Sequence, residues 1–214
     1  DSGNNGGNYA TLNPLDSSSN IAFTNGFLNE TTTVSGHHMV SGTIAVNSGK
    51  WYIEVTPTSL GGTYSHIGIT PINTSNTTFV GSNGYGYTHA GTKQGLGTGS
   101  SYGNSYAAGD CIGIAFDADN GNLYFYKNGV AQNSGTAAFT GIDTSKHWRF
   151  SISHFNGGGA VVNFGQRPFK YTNAGTNRPA ATYLSLCTQN FADPTIADGS
   201  TAFDAKTYSG TGST

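Results

Sequence analysis

Charged side chains are scarce in this sequence. Asp, Glu, Lys and Arg make up 9% of its 214 residues, and the formal net charge is −2. A chain with so few cations has no basic surface to attract nucleic acid or anionic lipid, so we expect no nucleic-acid partner. No apolar run approaches the ~20 residues needed to cross a bilayer, and we therefore expect no membrane insertion.

Cysteine is rarer still, with Cys111 and Cys187 as the only two. Two cysteines allow one disulfide, but nothing else in the sequence points to it, and Cys111 beside Ile112 is better explained as a small buried apolar residue. His37 and His38 are adjacent, which places them on opposite faces of a strand, and the other four histidines are scattered. We therefore expect no metal site and no cofactor.

Catalytic chemistry has few candidate residues. Glu30 and Glu54 are the only glutamates, and neither has a second acid two residues away in a strand, so the paired carboxylates of a glycosidase are not expected. Asp117 and Asp119 flank a predicted hairpin turn, where Asp commonly accepts hydrogen bonds from backbone N–H groups. No serine lies in a nucleophile elbow. We predict that the protein is not an enzyme.

Glycine and aromatic residues are abundant instead, with 32 Gly, 12 Tyr and 12 Phe. Segment 109–129 has the strongest pattern, because bulky apolar residues recur at every second position in 112–116 and again in 123–126. Asn120-Gly121 between them best accepts the two positive φ angles of a type I′ turn. We predict two strands joined by that turn at the centre of an antiparallel sheet. Their buried face would carry Ile112, Ile114, Phe116, Leu123 and Phe125.

Similar alternation predicts ten to twelve short strands and almost no helix. The strand over 50–56 should end at Pro57. Segment 81–109, rich in Gly, Ser and Tyr, is predicted to be a long loop, with short strands around 85–87 and 92–94 as interruptions. Because a sheet with one apolar face must bury it against another layer, we predict an all-β fold of two packed antiparallel sheets, a β-sandwich.

The two ends of the chain lack this regular alternation. The first part of residues 1–35 is polar and rich in Gly and Asn. We interpret 1–35 as an N-terminal strap and the first strands, which pack on the sandwich. Residues 36–169 would form the sandwich itself. Residues 170–214 scatter apolar side chains among Gly, Pro and Asp, which indicates an extended C-terminal strap or a linker to a further module.

Five motifs, in order, resemble those of the SPRY (B30.2-like) domain. They are GKWYIEV at 49–55, IGI at 67–69, GDCIGIAFD with LYFYKNG within 109–129, WRFSIS at 148–153 and NFGQRPF at 163–169. The resemblance implies a concanavalin-like β-sandwich that has no catalytic activity and binds partners through loops at one end. The flanking segments 9–15 and 193–199 resemble those around SPRY modules of tailed-phage structural proteins.

The predicted binding surface lies in and beside segment 81–109. Tyrosine gives a large amphipathic contact area with few torsions to immobilise, Ser, Gly and Asn adapt around it, and tyrosine rings also stack on sugars. The candidate ligand-binding residues are Tyr64, His66, Tyr85, Tyr87, His89, Lys93, Tyr102 and Tyr106. The alternative is a place in the core, which is the better interpretation for Tyr102 and Tyr106, just before the central strand.

These features predict a non-catalytic binding module on the surface of a phage or other virion, in a tail fibre or decoration protein. It would lie on the virion surface or outside the cell and recognise a host surface protein or glycan. A second hypothesis is a purely structural virion or assembly module that packs on other virion subunits, with a homo-oligomer among the expected assemblies. A third is a cellular SPRY adaptor that captures short peptides, which the scarcity of Arg in these loops disfavours.

Overall fold

A computed structural model describes residues 7–62, 64–171 and 183–192, together with 210 and 212. Strands account for nearly all of its regular structure. In chain order they are β1 (Leu12–Ser17), β2 (Ala22–Thr24), β3 (Asn29–Thr32), β4 (His37–Gly42), β5 (Lys50–Ser59), β6 (Tyr64–Pro71), β7 (Tyr85–Thr88), β8 (Thr92–Gly95), β9 (Thr98–Ser101), β10 (Ile112–Asp117), β11 (Asn122–Lys127), β12 (Val130–Ala131), β13 (Trp148–Phe155), β14 (Gly158–Asn163) and β15 (Leu184–Ser185). The helical elements are α1 (Val80–Asn83) and two 3₁₀ turns, Gln132–Gly135 and Thr188–Asn190.

The strands form two sheets that pack around one core. One sheet has the order β1-β4-β13-β6-β7-β8-β9, and the other has the order β12-β11-β10-β5-β14-β3-β2, with β15 joined to β5 in parallel. Side chains of both sheets, such as Ile67 and Phe150 from the first and Ile53 and Ile114 from the second, meet in a single buried cluster. The predicted all-β sandwich of antiparallel sheets is therefore confirmed.

The predicted hairpin is present as β10 and β11, but its turn differs from the prediction. Ile114 pairs with Phe125, and the apolar side chains of both strands share the buried face as expected. The connection spans four residues rather than two, and only Gly121 has a positive φ (+65°), so it is not a type I′ turn. Asp117 Oδ1 accepts the Asn120 N–H at 3.1 Å, which stabilises the wider loop. The middle strand of this sheet is β5.

Strand β5 continues through Pro57, where we had predicted its end. Pro57 pairs with Ala160 of β14, and the register shifts between Ala160 and Gly159, which pairs with Ser59. A bulge of this kind accommodates proline, because the ladder is already irregular where the missing N–H would have donated.

Segment 81–109 carries three short strands and is not one continuous loop. The two short strands expected there are β7 and β8, and β9 adds a third, so the segment extends the seven-stranded sheet. Tyr85 and Tyr87 lie opposite Ile69 and Ile67 on the core side of this sheet. The Tyr-Gly-Tyr alternation is therefore a buried-strand pattern in which tyrosine takes the place of an aliphatic residue.

Both flanks contribute strands in the described residues. β1 pairs with β4 of the first sheet, whereas β3 pairs with β14 of the second. At the other end, Leu186 and Cys187 are fully buried next to β15. Segment 172–182 and most of the chain after 192, on which part of the C-terminal strap prediction rests, lie outside the described residues. Of the helices that are described, none has the length and hydropathy of a membrane span.

Candidate functional site

Three of the predicted binding tyrosines are buried. Tyr87, Tyr102 and Tyr106 expose 0%, 8% and 4% of their surface, and the Tyr87 ring stacks on Phe125 with 5.3 Å between ring centroids. Burial raises the pKa of Tyr102 to about 12 and raises the pKa values of Tyr87 and Tyr106 further, so all three hydroxyls remain donors. Tyr87 and Tyr106 are thus core residues: Tyr106 follows the core interpretation that we preferred for it, and the predicted role of Tyr87 is corrected from direct contact to support.

The hydroxyl groups of these tyrosines hold neighbouring backbone in place. Tyr87 donates to the carbonyl oxygen of Asn104 and lies 3.3 Å from Gln132 Oε1. Tyr102 donates to the Thr136 carbonyl at 3.0 Å, and Tyr106 donates to the Ser65 carbonyl at the same distance. A buried tyrosine needs such a partner for its O–H, and here the partners of Tyr87 and Tyr102 belong to connecting loops, whereas Ser65 lies in β6.

Two of these loops enclose an open cavity of about 710 Å³, which we call the loop cleft. One wall is 101–104, which begins at the last residue of β9, and the other is 130–134, which comprises β12 and the first residues of the following 3₁₀ turn. Its lining residues are Ser101, Tyr102, Gly103, Asn104, Val130, Ala131, Gln132, Asn133 and Ser134.

Gln132 joins the two walls of the loop cleft. Its buried Oε1 accepts the Asn104 N–H at 2.8 Å, while its Nε2 donates to the Val130 carbonyl at 3.0 Å. Gly103 permits this close approach, because a Cβ at that position would lie 2.7 Å from Gln132 Oε1. Internal hydrogen bonds therefore fix the shape of the loop cleft.

The lining of the loop cleft suits an uncharged, extended ligand. It contains hydroxyl, amide and backbone groups, no Lys, Arg, Asp or Glu, and one strongly exposed apolar side chain, Val130. Asn133 and Ser134 have φ angles of 49° and 54°, a left-handed conformation that costs free energy and often marks functional segments. Our sequence reasoning missed 130–134, where the preceding Asn128-Gly129 turn and the small polar residues were the only signals.

The remaining predicted residues do not share one surface with the loop cleft. Tyr85 is half-buried against Phe139, and Lys93 Nζ donates to the Ala138 carbonyl at 2.6 Å. His89 Nδ1 accepts the Ser65 N–H in a long contact of 3.4 Å. Tyr64 and His66 alternate with buried Ile67 along β6 and so lie on the outer face of the seven-stranded sheet. The single predicted surface is therefore split between two sides of that sheet.

Ser65, His154 and Glu30 form a buried line of hydrogen bonds that connects the two sheets. Ser65 Oγ lies 3.2 Å from His154 Nδ1, and Glu30 Oε1 lies 2.6 Å from His154 Nε2. The order hydroxyl, imidazole and carboxylate is that of a serine hydrolase. None of the three residues exposes more than 3% of its surface, however, so no substrate can reach the Ser65 hydroxyl. The line is structural, and sequence spacing could not reveal it because Glu30 and His154 are 124 positions apart.

In the part of the chain that the structure describes, no group of three His, Cys, Asp or Glu side chains lies close enough together to hold a metal ion. Cys111 is a buried free thiol in this region, as its apolar neighbour predicts. Burial raises the pKa of this thiol to about 12, so it is not a reactive nucleophile at neutral pH.

Comparison with known proteins agrees with the motifs and the fold. The SPRY domain family model matches residues 50–167, a segment that includes both walls of the loop cleft. Over 93 residues, 41% of this chain, the sequence is 39% identical to the E3 ubiquitin-protein ligase RKP of Arabidopsis thaliana. The aligned segment is 7% of that ligase, so this chain spans a small fraction of the relative's length. Because the family model covers more than half of the chain, this chain belongs to the SPRY domain family.

Proposed function

We propose that this chain is a non-catalytic module that binds a protein partner and that its loop cleft receives an extended segment of that partner. The observation that carries the proposal is the cleft itself, whose walls are fixed by Gln132 and the Tyr87 hydroxyl while its lining offers amide and hydroxyl groups. A pre-formed site loses little conformational freedom on binding, which favours affinity. Membership of the SPRY family supports the same function.

Among the narrower alternatives, a cellular adaptor that binds short peptides has the better support, because the aligned relative is a plant ligase. The scarcity of Arg in the loops does not weigh against this alternative, since an uncharged cleft suits an uncharged peptide. Ligase activity belongs to that relative and is not part of this proposal, because only 7% of the ligase is aligned with this chain. A phage or virion surface protein that recognises a host protein or glycan remains a prediction from composition and flanking segments, as does its location.

A peptide library and a glycan array, both screened with the full chain, would test the proposal. We expect uncharged peptides to be selected, and the dissociation constant of one such peptide can be measured by calorimetry. Val130→Arg should weaken that peptide at least about tenfold, because it replaces an exposed apolar contact in the cleft with a charge.

Leu96→Arg is the matched control for Val130→Arg. Leu96 is 62% exposed and Val130 is 60% exposed, but Leu96 does not line the loop cleft. Affinity should stay within about twofold for this variant. Equal losses in both variants, or none in either, would contradict the assignment of the cleft, and binding to the glycan array alone would favour the virion prediction instead.

A further inference from the structure

Five aromatic side chains on the outer face of the seven-stranded sheet form a closed circuit, which we call the aromatic cup. Each ring contacts the next, with centroid distances of 6.1 Å from Tyr64 to His66, 5.1 Å from His66 to Phe79 and 5.2 Å from Phe79 to His37. The circuit closes through Phe155, which lies 4.6 Å from His37 and 6.2 Å from Tyr64. Three elements thus converge here, β4, β6 and β13, together with the residue that precedes α1.

A cavity of about 190 Å³ opens within the aromatic cup. His37, Tyr64, His66 and Phe79 line it together with Gln94 of β8, so no charged side chain is among its lining residues. Tyr64 is 52% exposed and forms the accessible rim. The aromatic cup shares no residue with the loop cleft, and its role is independent of the proposed function.

Both histidines of the aromatic cup are neutral at neutral pH. Burial lowers the pKa of His66 to about 4 and also lowers the pKa of His37. His66 Nε2 lies 2.9 Å from Gln94 Oε1 and therefore carries the proton, which leaves Nδ1 with a lone pair. That Nδ1 and the Nδ1 of His37 are buried without a hydrogen-bond partner among the described residues.

We propose that the aromatic cup binds an alkylammonium group, such as the lysine side chain of a partner protein. Aromatic ring faces carry negative partial charge and attract cations, and no charged side chain lines the cavity to compete for them. The same ring faces repel an anion. A purely apolar guest gains no such attraction, so the aromatic cup should distinguish a charged alkyl chain from an uncharged one of the same length.

Proton NMR with two peptides tests the proposal. Both peptides are short Gly/Ser sequences with acetylated and amidated ends, and they differ in one residue, which is lysine in one and its uncharged analogue norleucine in the other. We expect the lysine ε-methylene protons to shift upfield through ring currents, to saturate with added protein, and to report binding about tenfold tighter than that of the norleucine peptide.

Tyr64 offers a matched pair of variants, because its side chain is exposed and can be replaced without changing the buried core. Tyr64→Phe keeps the ring and should retain affinity within about twofold, whereas Tyr64→Ala should weaken the lysine peptide about fivefold, equivalent to about 1 kcal/mol. Equal binding of the two peptides, an unchanged affinity in Tyr64→Ala, or the lack of a saturable shift would each overturn the proposal. A general attraction of lysine to this weakly acidic protein would be unchanged in Tyr64→Ala, so the variant separates that attraction from binding in the aromatic cup.

Discussion

Mild acid should destabilise this protein through His66. The native side chain is enclosed, so its pKa falls from 6.5 to about 4, mainly through burial. The hydrogen bond to Gln94 opposes this shift, while the charges of His37, His89 and His154 add to it. In the unfolded chain His66 binds a proton below about pH 6.5.

The sign and size of the effect follow from this difference in proton binding. The stability contributed by neutral His66 is fully present above pH 6.5 and is lost as the pH falls towards 4, because the unfolded state binds the proton first. With these pKa values, the loss in the free energy of unfolding is about 2 kcal/mol at pH 5 and approaches about 3 kcal/mol near pH 4.

Urea unfolding of the natural sequence and of His66→Gln at pH 7, 6 and 5 measures this contribution. Loss of the ring stacking on Phe79 lowers the stability equally at every pH, so only the loss of the titrating imidazole changes the pH dependence. Other titrating groups cancel when the two proteins are compared. The natural sequence should lose about 2 kcal/mol more than the variant between pH 7 and pH 5. Parallel losses in the two proteins would refute the reasoning.

Two further predictions concern the core and the loop cleft. Glu30→Ala should lower the free energy of unfolding by about 1 to 3 kcal/mol in urea titrations, because it leaves the buried Nε2 of His154 without its hydrogen-bond partner. A loss below about 1 kcal/mol would contradict the importance of this link. Gly103→Ala should cost about 1 to 3 kcal/mol and weaken peptide binding in calorimetry, because the new methyl group meets Gln132. Gly99→Ala, whose methyl group would come no closer than 3.7 Å to its neighbours, is the control, and equal effects of the two glycine substitutions would argue against a tight junction at the cleft.

The fold was largely predictable because its signals are local. Alternation in 112–116 and 123–126 identifies two strands and their buried face without knowledge of any distant contact. Local signals failed where a distant partner decides the outcome. Pro57 remains within β5 because β5 bulges there against β14: Pro57 and Ser59 pair with the consecutive residues Ala160 and Gly159, a pairing that the sequence around Pro57 does not reveal.

The candidate site was less predictable, because tyrosine serves two purposes in this protein. We interpreted the tyrosines of 81–109 as an exposed surface, yet Tyr87 uses its ring as core and its hydroxyl to fix a loop. The cleft itself depends on contacts that are remote in sequence, such as the bond between Asn104 and Gln132, which are 28 positions apart. Composition indicated binding, but only the fold identifies which loops meet.

The pairing of β15 with β5 has a consequence for how this module can be moved between proteins. β15 lies beside Trp51 and Tyr52 in the middle strand, and β1 and β3 pair with strands of both sheets from the opposite end of the chain. A fragment trimmed to the family match at 50–167 would lose these three strands as well as β2 and β4, and it would leave unpaired hydrogen-bonding edges on both sheets. Gene fusion or domain shuffling would therefore have to carry both flanks along with the motif-bearing centre for the sandwich to fold cooperatively.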